Sequence, residues 1–230
     1  MSGPDVRDIR DIRDVHGGQP VLAAGRPLEE AAGAVIMVHG RGGSAEDILS
    51  LAGELERRGL PEGLAYVAPQ AAGHTWYPYS FMAPMERNEP GLSSALALLG
   101  DLVEHLESEG VPAERIVLLG FSQGACLSLE FAARNARRFG GVVALSGGLI
   151  GPPGTPRDYE GDFAATPVFL GCSDIDPHIP KERVDESAEV LGEMGAEVTE
   201  RIYPGMGHTV NEDELDFVRQ LLAGLAAGKG

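Results

Sequence analysis

Three short segments carry side chains that could act together in nucleophilic acyl transfer. "GFSQG" holds Ser122 between two glycines, "DIDPHIP" offers Asp174 and Asp176, and "GMGH" ends at His208. A serine hydroxyl is a weak nucleophile near neutral pH, so it needs an adjacent base, and that base needs an acid to orient it. The chain supplies a serine, then an aspartate, then a histidine.

The setting of Ser122 is more informative than the pentapeptide, which is weak evidence in a chain with 32 glycines. The apolar run "RIVLL" before it predicts a buried strand, and "QGACLSLEFAARNARRFG" after it predicts a helix. A G-x-S-x-G motif between a strand and a helix forms a nucleophile elbow, where small neighbours allow a strained turn that exposes the hydroxyl. We therefore interpret Ser122 as the nucleophile rather than a polar residue at a strand–helix junction.

His208 is the favoured base because it lies on a glycine-rich loop after a predicted strand and before the last predicted helix. The other histidines fit this role less well. His105 falls within a predicted helix and His16 in a peripheral arm, so both are expected to be solvated. His74 lies in an aromatic loop, where it is expected to touch substrate. His178 follows the candidate acids too closely to be an independent partner.

The acid should lie on a loop after a strand, between the serine and the histidine in chain order. Asp176 is preferred because the "DPHIP" turn that contains it leads into a helix, while Asp174 stays open as the alternative. A metal site formed by Asp174, Asp176 and His178 is a rival interpretation. The segment lacks the calcium-loop pattern, so we expect no metal.

Acyl transfer also requires hydrogen-bond donors for the oxyanion. One donor is expected to be the backbone N–H of Gln123, at the start of a helix whose dipole assists. The other is expected to be the N–H of Arg41 in "HGRGG", the loop after the first central strand. The Arg41 side chain is expected to be solvated, with contact to an acidic substrate group as the alternative. His39 is expected to be structural.

Alternating strand and helix patterns follow one another from "GAVIMVHG" to the C-terminus and predict a mostly parallel sheet with helices on both faces, an α/β fold. Ser44 is the predicted N-cap of the first helix. Before these elements, "QPVLAAGRPLEEA" predicts a peripheral hairpin. Two long connections, residues 71–91 and 147–166, are expected to be functional or mobile.

Composition favours one globular domain over residues 21–230, preceded by an arm of uncertain structure over residues 1–20. The formal net charge of −17 disfavours binding to nucleic acid or to anionic lipid headgroups. Cys126 and Cys172 match no metal-ligand spacing and are expected to be small buried side chains. No apolar run reaches signal-peptide or membrane-span length, so we expect a cytoplasmic protein without stable membrane association.

The motifs "VHGRGG", "GFSQGA", "DIDPHIP" and "GMGH", in this order, resemble those of the phospholipase/carboxylesterase family of α/β-hydrolases. The resemblance covers nearly the whole chain from about residue 20. It implies the α/β-hydrolase fold without a large cap domain. It also implies a triad of Ser122, Asp176 and His208, an oxyanion hole from the amides of Arg41 and Gln123, and neither cofactor nor metal.

The chain departs from the family pattern in three places. The family's acid loop can be shorter between the glycine that matches Gly171 and the aspartate, which leaves room for Asp174. Family members often have leucine where Arg41 stands. The lipid-accommodating loop of the thioesterases is not recognisable, and the aromatic stretch "HTWYPYSFM" stands in its place. Its side chains are expected either to line a pocket for an acyl or aromatic group or to pack the loop onto the core: His74, Trp76, Tyr77, Tyr79 and Phe81.

These observations favour a serine carboxylester hydrolase acting on short-chain or aryl esters through an acyl-enzyme. Thioester or lysophospholipid hydrolysis by the same triad is the alternative. A non-catalytic ligand-binding protein with this fold is a third hypothesis, disfavoured by the complete set of candidate groups. The expected partner is a small-molecule ester, and homodimer formation is left open.

Overall fold

A computed structural model describes residues 15–227 of the chain, which fold around a seven-stranded sheet in the order β1-β3-β2-β4-β5-β6-β7. All neighbouring strands pair in parallel except the edge strand β1, which is antiparallel to β3. The prediction of a mostly parallel sheet is confirmed. The strands are β1 Val21–Gly25, β2 Gly33–Val38, β3 Leu64–Pro69, β4 Ile116–Phe121, β5 Gly141–Leu145, β6 Pro167–Ser173 and β7 Glu197–Tyr203.

Five α-helices cover the two faces of this sheet in the described part of the chain. The core on one face contains side chains of α2, α3 and α4, and the core on the other contains those of α1 and α5. Strands β2 to β5 are buried along nearly their whole length, which explains their continuous apolar runs. The helices are α1 Ala45–Arg57, α2 Gly91–Ser108, α3 Gln123–Arg134, α4 Lys181–Glu193 and α5 Glu212–Ala227.

The start of α1 follows its sequence signal closely. The Ser44 side chain accepts a hydrogen bond from the Asp47 amide at 3.1 Å, and the Asp47 carboxylate accepts from the Ser44 amide at 2.8 Å. This reciprocal capping box confirms Ser44 as the N-cap. It fixes the point where the "HGRGG" loop ends and the helix begins.

The predicted peripheral hairpin before β2 is wrong. Only its first segment is a strand, β1, and its register pairs Val21 with Pro69 and Gly25 with Ala65 in β3. The second segment instead forms a short 3₁₀ turn over Leu28–Glu30. Strand β1 pairs with β3, some 40 residues further along the chain, instead of with a neighbouring segment as in a hairpin.

The prediction of a solvated His16 is also wrong. The His16 side chain is 1% exposed and contacts the loop that follows β3. Its Nδ1 accepts a hydrogen bond from the Ala72 amide at 3.1 Å, and its Nε2 donates to the Trp76 carbonyl oxygen at 3.0 Å. The last part of the expected N-terminal arm therefore packs against the main domain, while residues 1–14 lie outside the described residues.

None of the helices between residues 15 and 227 combines the length and the apolar content that a bilayer crossing requires. Cys126 and Cys172 are buried free thiols, as expected from their surroundings in the sequence.

Candidate active site

Ser122 lies on a sharp turn between β4 and α3, with φ 55° and ψ −118°. A non-glycine residue rarely adopts this conformation, and it is held here by backbone bonds on both sides. The Ser122 amide donates to the Leu145 carbonyl oxygen at 2.9 Å, and the Ser122 carbonyl accepts from the Cys126 amide at 3.0 Å. The turn points the hydroxyl away from the strand, at the carboxyl edge of the sheet.

Glycines at positions 120 and 124 are required for this turn. A Cβ atom on Gly120 would lie 2.3 Å from the Gly124 backbone, and one on Gly124 would lie 2.1 Å from the Val38 carbonyl oxygen. Both distances are far inside van der Waals contact. The motif therefore depends on the close approach of β4, α3 and β2 as well as on the conformation of Ser122.

His208 connects the serine to an acid in one hydrogen-bonded chain. Its Nδ1 lies 2.6 Å from Asp176 Oδ2, and its Nε2 lies 2.8 Å from Ser122 Oγ. Because an ionised carboxylate only accepts hydrogen bonds, Nδ1 carries the proton and Nε2 is left to accept from the hydroxyl. The imidazole is thus oriented to remove the Ser122 proton.

Asp176 is kept ionised by the groups around it. Burial acts to raise its pKa, but hydrogen bonds from His208 and from the amides of His178 and Ile179 outweigh burial, so the pKa of Asp176 lies below its usual value. These amides donate to Asp176 Oδ1 at 2.8 and 3.0 Å. The Asp174 carboxylate instead accepts from the Gly205 amide at 2.7 Å. Asp176, and not Asp174, therefore contacts the imidazole.

Cys172 lies behind the acid, with Sγ 3.8 Å from Asp176 Oδ2. Burial, followed by the negative charge of Asp176, raises the pKa of the Cys172 thiol to about 12. The thiol consequently stays protonated and acts as a weak donor to the carboxylate. The sequence predicts only burial for this cysteine, and not its contact with the carboxylate.

The imidazole of His208 packs between two rings. The Phe121 ring centroid lies 5.1 Å away, and the His178 ring lies 4.8 Å away in an edge-on arrangement. His178, which is not expected to act as the base, has a packing contact with this imidazole. Together with Asp176, these rings restrict the rotation of the imidazole.

The "HGRGG" loop lies directly against the nucleophile, since a Cβ atom on Gly40 would be 3.3 Å from Ser122 Cβ. Within residues 15–227, the backbone N–H groups of Arg41 and Gln123 donate no hydrogen bond. The Gln123 amide is free because it belongs to the first residue of α3. Two unpaired amides thus flank the serine, one on each of the segments from which oxyanion donors were expected.

His39 has a structural role, as the sequence suggested. Burial lowers the pKa of His39, so its ring is neutral. Its Nδ1 donates to the Gly40 carbonyl oxygen at 2.8 Å, and its Nε2 accepts from the Ala71 amide at 3.1 Å. The ring thereby connects the loops after β2 and β3.

Arg41 is exposed, as expected, but its guanidinium is also hydrogen-bonded within the protein. Its guanidinium donates to the carbonyl oxygens of Tyr77, Pro78 and Tyr79 at 2.9, 3.0 and 2.7 Å. Gln123 uses its side chain on the same segment: Oε1 accepts from the Trp76 amide at 2.9 Å, and Nε2 donates to the Tyr77 carbonyl at 2.8 Å. The sequence held no signal for these long-range contacts.

The aromatic residues proposed as pocket walls occupy different positions. Trp76 and Tyr77 are 0% and 1% exposed and pack within the core, and Phe81 is 6% exposed. His74 is exposed, and its Nδ1 donates to the Gly43 carbonyl at 2.8 Å. Tyr79 is 47% exposed. Substrate contact by these side chains stays a prediction, while their packing of the loop onto the domain is directly visible.

In the described part of the chain, no cluster of three or more histidine, cysteine or acidic side chains is arranged to hold a metal ion. The residues of the rival metal hypothesis are engaged elsewhere, since Asp176 bonds His208 and Asp174 bonds the Gly205 amide.

Comparisons with known proteins agree on one family. The Phospholipase/Carboxylesterase family model matches residues 22–225. A phospholipase/carboxylesterase of known structure from Dyadobacter fermentans is 48% identical, with a TM-score of 0.84 over 89% of this chain and 96% of its own. Acyl-protein thioesterase 1 of Gibberella zeae is 30% identical over 82% of this chain and 88% of its own. The protein of the same name from Neurospora crassa is 28% identical over 82% and 84%.

Proposed function

The chain belongs to the phospholipase/carboxylesterase family of α/β-hydrolases, and from this we propose that it is a serine carboxylester hydrolase that acts on short-chain or aryl esters. Membership establishes a hydrolase of the esterase and thioesterase type. The observation that carries the proposal is the hydrogen-bonded chain from Ser122 Oγ through His208 to Asp176.

In the first half of the proposed reaction, Ser122 Oγ attacks the ester carbonyl carbon while His208 Nε2 takes the hydroxyl proton. The carbonyl oxygen becomes an oxyanion and accepts hydrogen bonds from the amides of Arg41 and Gln123. When the tetrahedral intermediate collapses, the carbon–oxygen bond to the alcohol breaks. The alcohol leaves with the proton from His208, and the acyl group remains on Ser122.

In the second half, water replaces the alcohol. His208 removes a proton from the water as it attacks the acyl carbon, and then returns that proton to Ser122 as the carboxylic acid leaves. Asp176 stays ionised throughout and stabilises the imidazolium that forms twice per turnover. No cofactor enters any step.

The preference for short-chain or aryl esters is based on two exposed side chains, Tyr79 and Ile175. Tyr79 and Ile175 are exposed apolar side chains, 47% and 63% exposed, on the loop of the aromatic stretch and on the acid loop. An aryl or short acyl group can contact such side chains without a deep tunnel. The rings of Trp76 and Tyr77 are buried in the core.

Thioester hydrolysis is the second candidate, favoured by the fungal relatives named acyl-protein thioesterase 1. The same triad would cleave either bond. Matched acetyl and octanoyl substrates, each as an aryl ester and as a thioester, separate the two functions. We expect a higher kcat/KM for the acetyl aryl ester, and a reversed order would establish the thioesterase instead.

A fluorophosphonate probe and 4-nitrophenyl acetate test the proposal directly. The wild type should label on Ser122 and release nitrophenol, and Ser122→Ala should lose both properties. Ser146→Ala is a matched control because Ser146 also follows a central strand with φ 55° but is fully buried. Absence of labelling in the wild type, or full activity in Ser122→Ala, would refute the proposed function.

A further inference from the structure

We propose that the Arg41 side chain is a positioning residue for the oxyanion hole. Its guanidinium ties the aromatic segment, defined as residues 75–79, to the loop that carries its own backbone amide. That tie holds the Arg41 N–H where the oxyanion forms. This inference rests on the proposed function, because it concerns the same reaction.

The backbone restraints on Arg41 come from its neighbours in the loop. Its neighbours are fixed by backbone contacts: the His39 carbonyl accepts from Trp76 Nε1 at 2.8 Å, the Gly40 carbonyl from the Gly43 amide at 3.1 Å, and the Gly42 amide donates to the His74 carbonyl at 2.7 Å. Within residues 15–227, the N–H and carbonyl of residue 41 itself make no hydrogen bond. Bonds to the Gly40 carbonyl and from the Gly42 amide orient the two planar peptides that flank residue 41, and its side chain adds a further restraint.

The side chain of Arg41 supplies that restraint through three carbonyl oxygens in a row, at 2.7 to 3.0 Å. A guanidinium can do this because its donors form a rigid planar fork. In the described part of the chain no carboxylate lies within ion-pair distance of Arg41 to compete for these donors. The carbonyl oxygens are thus its structural partners.

The aromatic segment is a firm anchor because the other oxyanion residue holds it as well. The Tyr77 carbonyl accepts from Arg41 Nη2 at 2.9 Å, from Gln123 Nε2 at 2.8 Å and from Thr75 Oγ1 at 3.0 Å. The two residues that present the candidate oxyanion amides therefore meet, through their side chains, on one carbonyl oxygen. This connection couples the spacing of the two amides to the aromatic segment.

Two substitutions test the inference. Arg41→Met removes the fork, and Arg41→Lys keeps the charge but offers a single ammonium. Since loss of a whole oxyanion donor costs about 10²- to 10³-fold, we expect displacement of one donor to lower kcat for 4-nitrophenyl acetate about 10- to 100-fold in both variants. KM should change by less than about threefold, because the donor acts on the transition state.

Arg138→Met is the matched control. Arg138 is an exposed arginine whose guanidinium donates to the carbonyl oxygens of Ala164 and Ala165 on another loop. We expect kcat within about twofold of the wild type in this variant. A wild-type kcat in Arg41→Met would overturn the positioning role. A wild-type kcat in Arg41→Lys would also overturn it, because a positive charge without the planar fork would then be sufficient.

Hydrogen–deuterium exchange gives a second test that does not depend on activity. In Arg41→Met, exchange should quicken at least severalfold in peptides that cover residues 39–43 and 75–79, and it should be unchanged in Arg138→Met. Unchanged exchange in Arg41→Met would overturn the inference. If the wild type does not label with fluorophosphonate, the proposed function is refuted. If the wild type labels normally but the Arg41 variants keep the wild-type kcat and exchange rates, only the positioning role of Arg41 is refuted.

Discussion

The Ser122 backbone combines strain with reactivity. A non-glycine residue at positive φ costs on the order of 1–3 kcal/mol, and the structure compensates through the Leu145 and Cys126 backbone bonds. The hydroxyl consequently has a fixed direction before any substrate arrives. His208 is held by its hydrogen bond to Asp176 and by contacts with the rings of Phe121 and His178. Little reorganisation is needed to begin proton transfer.

Replacing the Asp176 carboxylate with an amide tests the proposed triad. Asp176→Asn should lower kcat about 10³- to 10⁴-fold, because an amide at this position no longer holds Nδ1 as the donor. Asp174→Asn is the control, since Asp174 contacts only the Gly205 amide among these groups. It should lower kcat by less than about tenfold. Steady-state hydrolysis of 4-nitrophenyl acetate measures both, and equal losses would argue against Asp176 as the acid.

Several residue roles could be predicted from sequence because they depend on local context. Ser122 lies in a strand–turn–helix pattern, and Asp176 precedes a turn that presents two amides to its carboxylate. The side chains of Arg41 and His16 were not predictable in this way. Their partners lie 36 to 38 and 56 to 60 residues away, and nothing near them in the sequence marks these backbone groups as hydrogen-bond partners.

The candidate site depends on three elements whose backbones meet beneath Ser122. Strand β4, helix α3 and the end of β2 approach so closely that only glycine fits at their contacts. Such contacts exclude water and make the sheet a rigid support for the turn. The "HGRGG" loop leaves β2 at this same point, so backbone packing fixes where the loop begins relative to Ser122.

Gly124→Ala tests this packing. The added methyl would lie 2.1 Å from the Val38 carbonyl oxygen and 2.6 Å from that of His39. We expect a loss of about 3 kcal/mol or more in the free energy of unfolding, together with loss of probe labelling. Gly192→Ala is the control, because it lies within α4 with nothing within 4 Å of an added methyl. It should stabilise by up to about 1 kcal/mol. Urea denaturation measures both, and a stable, active Gly124→Ala would contradict the packing argument.

The order of strand and helix was predictable because each central strand is an apolar run and each helix has its own periodicity. The partner of β1 was not. Its burial is low, with four of its five residues exposed, so its sequence specifies neither a face nor a neighbour. The free edge of β3 provides the pairing, and that edge exists only once the sheet has formed.

At the scale of the whole molecule, the net charge of −17 affects stability as well as binding. Like charges on a compact chain repel one another, and dissolved salt screens that repulsion over a Debye length of about 10 Å at 0.1 M. We expect Tm to rise by a few degrees between about 20 and 500 mM NaCl. Differential scanning calorimetry measures the shift, with an equiosmolar sucrose series as control. A falling Tm in NaCl would show that attractive pairs dominate instead.

Glu214 makes stability depend on pH near neutrality. Burial raises the pKa of Glu214 to about 7, with the hydrogen bond from Asn211 opposing and the charge of Asp213 adding to the shift. One carboxylate oxygen, Oε1, is buried without a hydrogen-bond partner in the described structure. The folded state therefore binds this proton more tightly than the unfolded state does. The stabilisation of the folded state by this proton is complete below the ordinary glutamate pKa of about 4.3, and it is lost as pH rises to about 7.

Glu214→Gln should remove this pH dependence. Between pH 5 and pH 8 the wild type should lose on the order of 2 kcal/mol relative to the variant, as measured by urea denaturation at both values. His39 acts in the opposite sense in both proteins, since its lowered pKa favours the folded state as pH rises. Glu212→Gln, at an exposed neighbour paired with Arg58, is the control and should behave as the wild type. Parallel pH profiles for wild type and Glu214→Gln would count against a raised pKa at this carboxyl.

The long connection over residues 147–166 divides the site in a useful way. The part of the chain before this connection contains Ser122 and both candidate oxyanion amides, and the part after it contains Asp176 and His208. Strands β5 and β6, which flank the connection, pair with each other. Gly154 is exposed on this connection and has open space around it. We expect a chain severed at Gly154 to give two inactive fragments that regain hydrolysis of 4-nitrophenyl acetate when mixed, which would suit this domain to fragment-complementation assays.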